Sequence, residues 1–203
     1  MEKGAMFKNL RIKIEETAPL TDSECDYIFS HFTTKKYKKH QFILQEGADV
    51  DNEYFLVKGL VRSYCILSDG KERILQFAWE NCWITEYSAF FLKTKSGLFI
   101  DCIEDVELLC LSSENREKIM DEFPVIEKYY RERSRIGIAW CVNRIFSLLN
   151  YNTQKGYDEF IKEYRVIINR IPKHFIASYL GVSREALSRI NSPYKSPQKK
   201  ILP

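Results

Sequence analysis

The chain has 203 residues, 45% hydrophobic, 29% charged and 14% aromatic, with a formal net charge of +3. This is the composition of a folded globular protein of one large or two small domains, which excludes a disordered, collagen-like or low-complexity chain. No run approaches the ~18 uninterrupted apolar residues of a membrane-spanning helix, so no membrane partner is expected.

Met1–Glu16 alternates charged and apolar residues and lacks the hydrophobic run of a secretory leader, so a cytoplasmic location is expected. Thr21-Asp-Ser-Glu24 has the form of a capping box and opens a short helix over residues 21–33. From Lys35 to Leu111 the pattern changes to short β-branched and aromatic runs separated by Gly or Asp turns. Tyr37–Leu44, Tyr54–Val57 and Leu60–Leu67 are three of these, and Ser68-Asp69-Gly70 then turns the chain into a return strand carrying Arg73, Leu75, Phe77 and Trp79. Leu98–Ile103 and Val106–Leu111 flank a further hairpin at Glu104-Asp105. About eight short strands at this spacing predict a small antiparallel barrel or jelly roll.

After Leu111 the period becomes helical. Ser112–Glu122 reads as a short helix, and Pro124 starts a longer one running to about Leu149 with no internal proline. At ~1.5 Å per residue it would span about 39 Å, long enough to pack on the β-domain and on a second copy of itself. The polar stretch Asn150–Gly156 reads as a hinge, Tyr157–Tyr164 as a helix, and Arg170-Ile171-Pro172 as extended chain, because Pro172 disfavours helix at Ile171.

The cysteines, Cys25, Cys65, Cys82, Cys102, Cys110 and Cys141, form no C-x-x-C pair, which points to reduced core thiols. His31, His40 and His174 form no H-x-H or H-x-x-x-H pair, so the ligands of a metal-dependent jelly-roll oxygenase are missing and neither enzyme activity nor a metal is expected. Charge is unevenly spread. Residues 151–203 carry ten basic and four acidic side chains, a net +6, while residues 1–150 carry 21 basic and 24 acidic, a net −3. A polyanion partner is therefore expected at the C-terminal end alone.

Lys173–Ile190 fits a helix-turn-helix. Pro172 is suited to the first helical position, Ile176 and Leu180 share a face, and Ala177 is small where a second helix must approach. Gly181 stands where the chain leaves the first helix, Val182 enters the corner, and Ser183 caps a second helix with Glu185 in its first turn. Leu187 and Ile190 return to the shared core. The second helix then presents Arg184, Glu185, Ser188 and Arg189 for base reading. Arginine can grip guanine with two hydrogen bonds, glutamate can accept from cytosine, and serine lets the helix sink into the groove. Ser183, Lys173, His174 and Tyr179 are the candidate phosphate contacts. A surface ion pair is the competing reading of Arg184 and Glu185.

These residues, Ile176–Gly181 and Val182–Ile190 with Gly47 and Gly59 in the β part, resemble the catabolite-activator and fumarate–nitrate-regulator (CRP/FNR) family of bacterial transcription factors. Asn169–Gly181 looks like the branch common in Bacteroidetes. The resemblance implies an α+β chain in three parts. Residues 1–122 form a double-stranded β-helix (jelly-roll, cyclic-nucleotide-binding-like) effector domain, 123–150 a long dimerisation helix, and 151–203 a winged-helix-like helix-turn-helix domain. It also implies a homodimer through the 123–150 helix on double-stranded DNA with half-sites about one turn, ~34 Å, apart. RNA polymerase is a further partner if the protein activates. In that family the two arginines and the glutamate of the recognition helix read bases, and these roles map onto Arg184, Glu185 and Arg189.

Two departures stand out. Trp83–Ser88 keeps a Glu at Glu86, but Ser96-Gly97-Leu98 stands where the family's cyclic-nucleotide binders carry an Arg-Ser/Thr-Ala segment for the cyclic phosphate. A buried anion without a guanidinium is costly, so neither cAMP nor cGMP is expected as a cofactor. Glu86, Tyr87, Ser88, Ser96 and Phe99 outline the possible effector pocket, with Phe90, Phe91 and Phe99 filling or reshaping it. Second, Pro193 and Pro197 would end the recognition helix early and leave 191–203 as a basic arm with Lys195, Lys199 and Lys200. The alternatives are a small-molecule-binding jelly-roll protein whose helix-turn-helix is a remnant, and a jelly-roll enzyme.

Overall fold

A computed structural model describes residues 3–17, 19–150 and 152–190. Helix α1 (Lys3–Glu15) opens the chain and buries Met6, Phe7, Leu10 and Ile14, so the alternation at the N-terminus is a helical period. Helix α2 (Asp22–Ser30) starts at the expected capping box: Thr21 Oγ1 accepts from the Glu24 amide at 3.3 Å, and the Glu24 carboxylate accepts from the Thr21 amide at 2.7 Å.

Among the described residues eight strands follow: β1 (Thr33–Tyr37), β2 (Phe42–Leu44), β3 (Asn52–Lys58), β4 (Val61–Ile66), β5 (Glu72–Ala78), β6 (Trp83–Ile84), β7 (Phe99–Cys102) and β8 (Val106–Ser112). They form two antiparallel sheets in the orders β1-β8-β3-β6 and β2-β7-β4-β5, the layout of a jelly roll. The stretch Tyr37–Leu44, expected as one strand, is two. His40 takes φ +71 and the Gln41 amide bonds back to the Lys38 carbonyl, so the chain turns there and crosses from one sheet to the other. At the β3–β4 corner Gly59 has φ +100, and a Cβ there would collide with the Asp105 carbonyl and Val106, so only glycine fits.

Alternation along the strands feeds two cores. Leu56 pairs with Leu108 and turns into the roll, against Val61, Ile84, Ile100 and Phe90 of helix α3 (Tyr87–Leu92). Phe55, paired with Leu109, turns out under the helices. There it meets α1, α2, α4 (Ser113–Glu122) and the start of α5 (Pro124–Asn150) through Leu10, Ile28, Ile119, Ile126 and Tyr130.

The chain divides into two compact units, Met1–Trp140 and Cys141–Pro203, and the division falls inside α5. The second unit holds α6 (Thr153–Glu163), a 3-10 turn over Ile168–Arg170, α7 (Lys173–Leu180) and α8 (Arg184–Ser188) around Phe160, Tyr164, Ile167, Ile176 and Ala177. The expected hinge over 150–156 is shorter, because Asn152 already caps α6 by accepting from the Lys155 amide at 2.9 Å. Pro172 sits one position earlier than expected, as the N-cap of α7 with ψ 138, and Ile171 before it is extended as its proline neighbour requires. Among the described residues no helix is long and apolar enough to cross a membrane.

Candidate nucleic-acid interface

Helix α7 ends at Gly181 in the left-handed region, φ +74, with the Gly181 amide bonded to the Ala177 and Ser178 carbonyls. Val182 follows with its amide on the Ala177 carbonyl at 3.0 Å. Ser183 is extended, and its Oγ accepts from the Ala186 amide at 3.1 Å, which starts α8. The turn therefore sends α8 off at an angle, with Ile176 and Ala177 buried beneath it and Leu180, Val182, Leu187 and Ile190 half-buried. The expected early end of the recognition helix at Pro193 and the basic arm over 191–203 lie outside the described residues.

Arg184, Glu185, Ser188 and Arg189 are all exposed. Among the described residues no carboxylate lies within ion-pair distance of Arg184 or Arg189. The Glu185 carboxyl is held below its ordinary range first by its own backbone amide and then by the Ser183 hydroxyl, so it stands ionised. Ser188 Oγ donates to the Glu185 carbonyl at 2.8 Å. Lys173 and His174 are exposed in the first turn of α7. Tyr179 is not with them. It is 3% exposed, its ring packs on Phe160 and Tyr164 at 5.0 and 5.5 Å, and burial pushes its hydroxyl up to about 12. The residue is a core element of this unit, which removes the phosphate contact expected of it.

The candidate effector residues of the β-unit do not converge. Glu86 is the N-cap of α3, its two carboxylate oxygens accepting from the Ser88 and Ala89 amides at 3.1 and 2.9 Å. Ser88 is exposed. Ser96 is buried in a turn where its Oγ donates to the Leu98 carbonyl at 2.8 Å. Phe99 lies on the face of β7 opposite the interior residue Ile100, stacked on Tyr64 at 5.2 Å. Of the three phenylalanines expected to fill the pocket, Phe90 is inside the roll, Phe91 is exposed and Phe99 is half-buried.

Tyr87 leads to a cluster that the sequence reading missed. Its hydroxyl accepts from Arg133 Nη2 at 3.3 Å, and the same nitrogen donates to Glu53 Oε2. Glu53 is 0% exposed, and Arg116 Nε stands 3.5 Å from its other oxygen. The two guanidiniums lie over the rings of Trp83 and Tyr130, at 4.6 Å from Trp83 for Arg133 and 4.3 Å from Tyr130 for Arg116. Burial works against the charge on Arg133, but Glu53 more than restores it and raises its pKa; burial also pushes the Tyr87 hydroxyl up to about 12. The cluster joins β3, α3, α4 and α5. Its sequence signal was a single acid, Glu53, directly before the apolar run Tyr54–Val57.

Residues 34–123 match the model of the cyclic nucleotide-binding domain family. The anaerobic regulatory protein of Bacillus subtilis (strain 168) is 28% identical over 86 residues, which is 42% of this chain and 36% of that protein, so the match spans about a third of the relative's length. Among solved structures, FixK2 from Bradyrhizobium japonicum superposes with a TM-score of 0.67 at 21% identity, covering 78% of this chain and 81% of that one. The Thermus thermophilus catabolite activator protein gives 0.53 at 20% identity, covering 91% and 84%. Residues 34–123 are thus similar to the cyclic nucleotide-binding domain family, and the chain shares the fold of FixK2 and of the catabolite activator protein.

Proposed function

We propose that this protein is a cytoplasmic, sequence-specific DNA-binding transcription regulator and not an enzyme, acting as a homodimer on a two-fold operator. The observation that carries the reading is the exposed row Arg184, Glu185, Ser188 and Arg189 on a helix launched by a glycine turn, with both guanidiniums outside any ion pair among the described residues. Exposed donors of this kind in a +6 segment are what a major-groove helix needs: phosphate attraction from the net charge, base discrimination from the guanidinium forks. Lys173, His174 and Ser183 would set position on the phosphates.

Three parts share the work: 1–122 as effector domain, 123–150 as dimerisation helix, 151–203 as DNA-binding domain. The dimer reading is supported by a seam on α5. Ile138, Val142, Ile145 and Leu149 recur at intervals of four, three and four, and are 66%, 45%, 56% and 77% exposed, an apolar stripe with the spacing of a two-stranded coiled coil. RNA polymerase is a partner if the protein activates.

A cyclic nucleotide does not fit the residues present. Glu86 is spent on its own helix, Lys95 Nζ is paired with Asp49 at 2.6 Å, and exposed Lys93 reaches over the Phe90 ring. No guanidinium stands between Tyr87 and Phe99 in the sequence. No step is assigned to cAMP or cGMP; a signal would act by shifting α5 and with it the spacing of the two reading helices.

The test is sedimentation and DNA binding of the Ile145→Glu variant. Loss of the dimer together with loss of two-fold-site binding is expected; a variant that stays dimeric, or a monomer that keeps full affinity, would overturn the α5 dimer.

A further inference from the structure

Helix α7 is the platform from which the reading helix is launched, and one side chain of α5 holds its end. Arg144 Nη2 donates to the Tyr179 carbonyl at 2.6 Å, and its guanidinium lies 3.6 Å from the centre of the Tyr179 ring. Tyr179 is in the last turn of α7, whose carbonyls have no partner within the helix. The backbone amides of Gly181 and Val182 turn back to the Ala177 and Ser178 carbonyls; Arg144 takes the next carbonyl along. A fixed positive charge at this helix end also suits the helix dipole. The grip is held from both sides. On α5, Arg144 Nη1 reaches Ser147 Oγ at 3.4 Å while that hydroxyl donates to the Arg144 carbonyl at 3.0 Å. On α7, the Tyr179 ring is walled in by Phe160 and Tyr164, and its hydroxyl donates to Glu163 at 3.4 Å.

We infer that Arg144 is a positioning residue for operator recognition, clamping the end of α7, and hence the start of α8 four residues further on, to the C-terminal turns of α5. The inference rests on the DNA-binding dimer proposed above. If α5 pairs with its counterpart, the clamp fixes how far apart and at what angle the two reading helices stand. Arginine is required because one flat group must both stack on a ring and donate in its own plane to a carbonyl; lysine can do only the second. In a two-site complex, lost geometry shows as lost avidity while each single contact survives.

The experiment compares wild type with Arg144→Leu and Arg144→Lys on three sets of duplexes derived from a wild-type-selected operator: the full site, an isolated half-site, and full sites with the spacer lengthened or shortened by one and two base pairs. For Arg144→Leu, full-site affinity should fall about tenfold, half-site affinity should stay within about twofold, and the preference for one spacer should flatten. Arg144→Lys should recover part of the affinity and part of the spacer preference. A generally weakened fold would lower half-site binding as much as full-site binding, and that result overturns the positioning role. So does a leucine variant with unchanged full-site affinity and spacer preference. If wild type itself selects no two-fold site, the DNA-binding reading fails first and takes this inference with it.

Discussion

The buried arginines of the β-unit and the arginines of the helix-turn-helix are used in opposite ways. In the β-unit, Arg62, Arg116 and Arg133 are drawn in and neutralised: Arg62 donates twice to Asp101, at 2.8 Å each, and again to Glu72, and Arg116 and Arg133 share the buried carboxylate of Glu53. In the helix-turn-helix, Arg184 and Arg189 are exposed and outside ion-pair distance of any carboxylate among the described residues. A guanidinium held by a carboxylate in a dry interior is committed to that partner and serves as a joint between elements. One left in water keeps five donors for a partner that arrives later. The difference separates a part built to hold its shape from a part built to present chemistry.

That contrast can be broken by removing single groups. The largest effect is expected at Glu53. Glu53→Ala leaves two guanidiniums beneath the helices without their anion and should destabilise the fold by about 3–5 kcal/mol, read as a shift of the urea midpoint. A loss within the range of an exposed pair would show that water reaches the cluster. Arg189→Ala should do the reverse: almost no change in folding stability, but a loss of about 1–3 kcal/mol in operator binding, with specificity relaxed at one base pair of each half-site. Thr21→Ala removes a cap far from both sites and should cost about 1 kcal/mol of stability without touching DNA binding.

A separate effect is a pH dependence on the alkaline side. Burial pushes the Cys102 thiol up to about 12 and the Cys110 thiol up to about 11, both from an ordinary value near 9. Above pH 9 the unfolded chain releases these protons while the native one retains them, so stability falls as pH rises through this window. Urea midpoints at pH 8 and pH 10.5 should show the decline; a flat profile would mean the thiols are not dry.

Much of this was legible in the sequence because it is local. The capping box at Thr21, the strand over Val61–Ile66, the glycine at 181 and the cap at Ser183 are all set by neighbours a few residues apart. What depended on distant partners was not. Glu53 and Arg133 are 80 residues apart and meet only once the roll has closed. The two-strand form of Tyr37–Leu44 comes from a crossing between sheets, which period-two patterning does not encode. Tyr179 reads in the sequence as a candidate phosphate contact; its burial depends on the aromatic cluster with Phe160 and Tyr164, 19 and 15 residues away in the chain.

The most direct measurement is selection of bound sequences from a random duplex library with the purified protein. Enrichment of a two-fold motif, with half-sites about one turn apart and binding that weakens steeply with added salt, is the result expected of exposed Arg184 and Arg189 on a dimer. No enrichment at low salt would contradict DNA recognition by this helix-turn-helix.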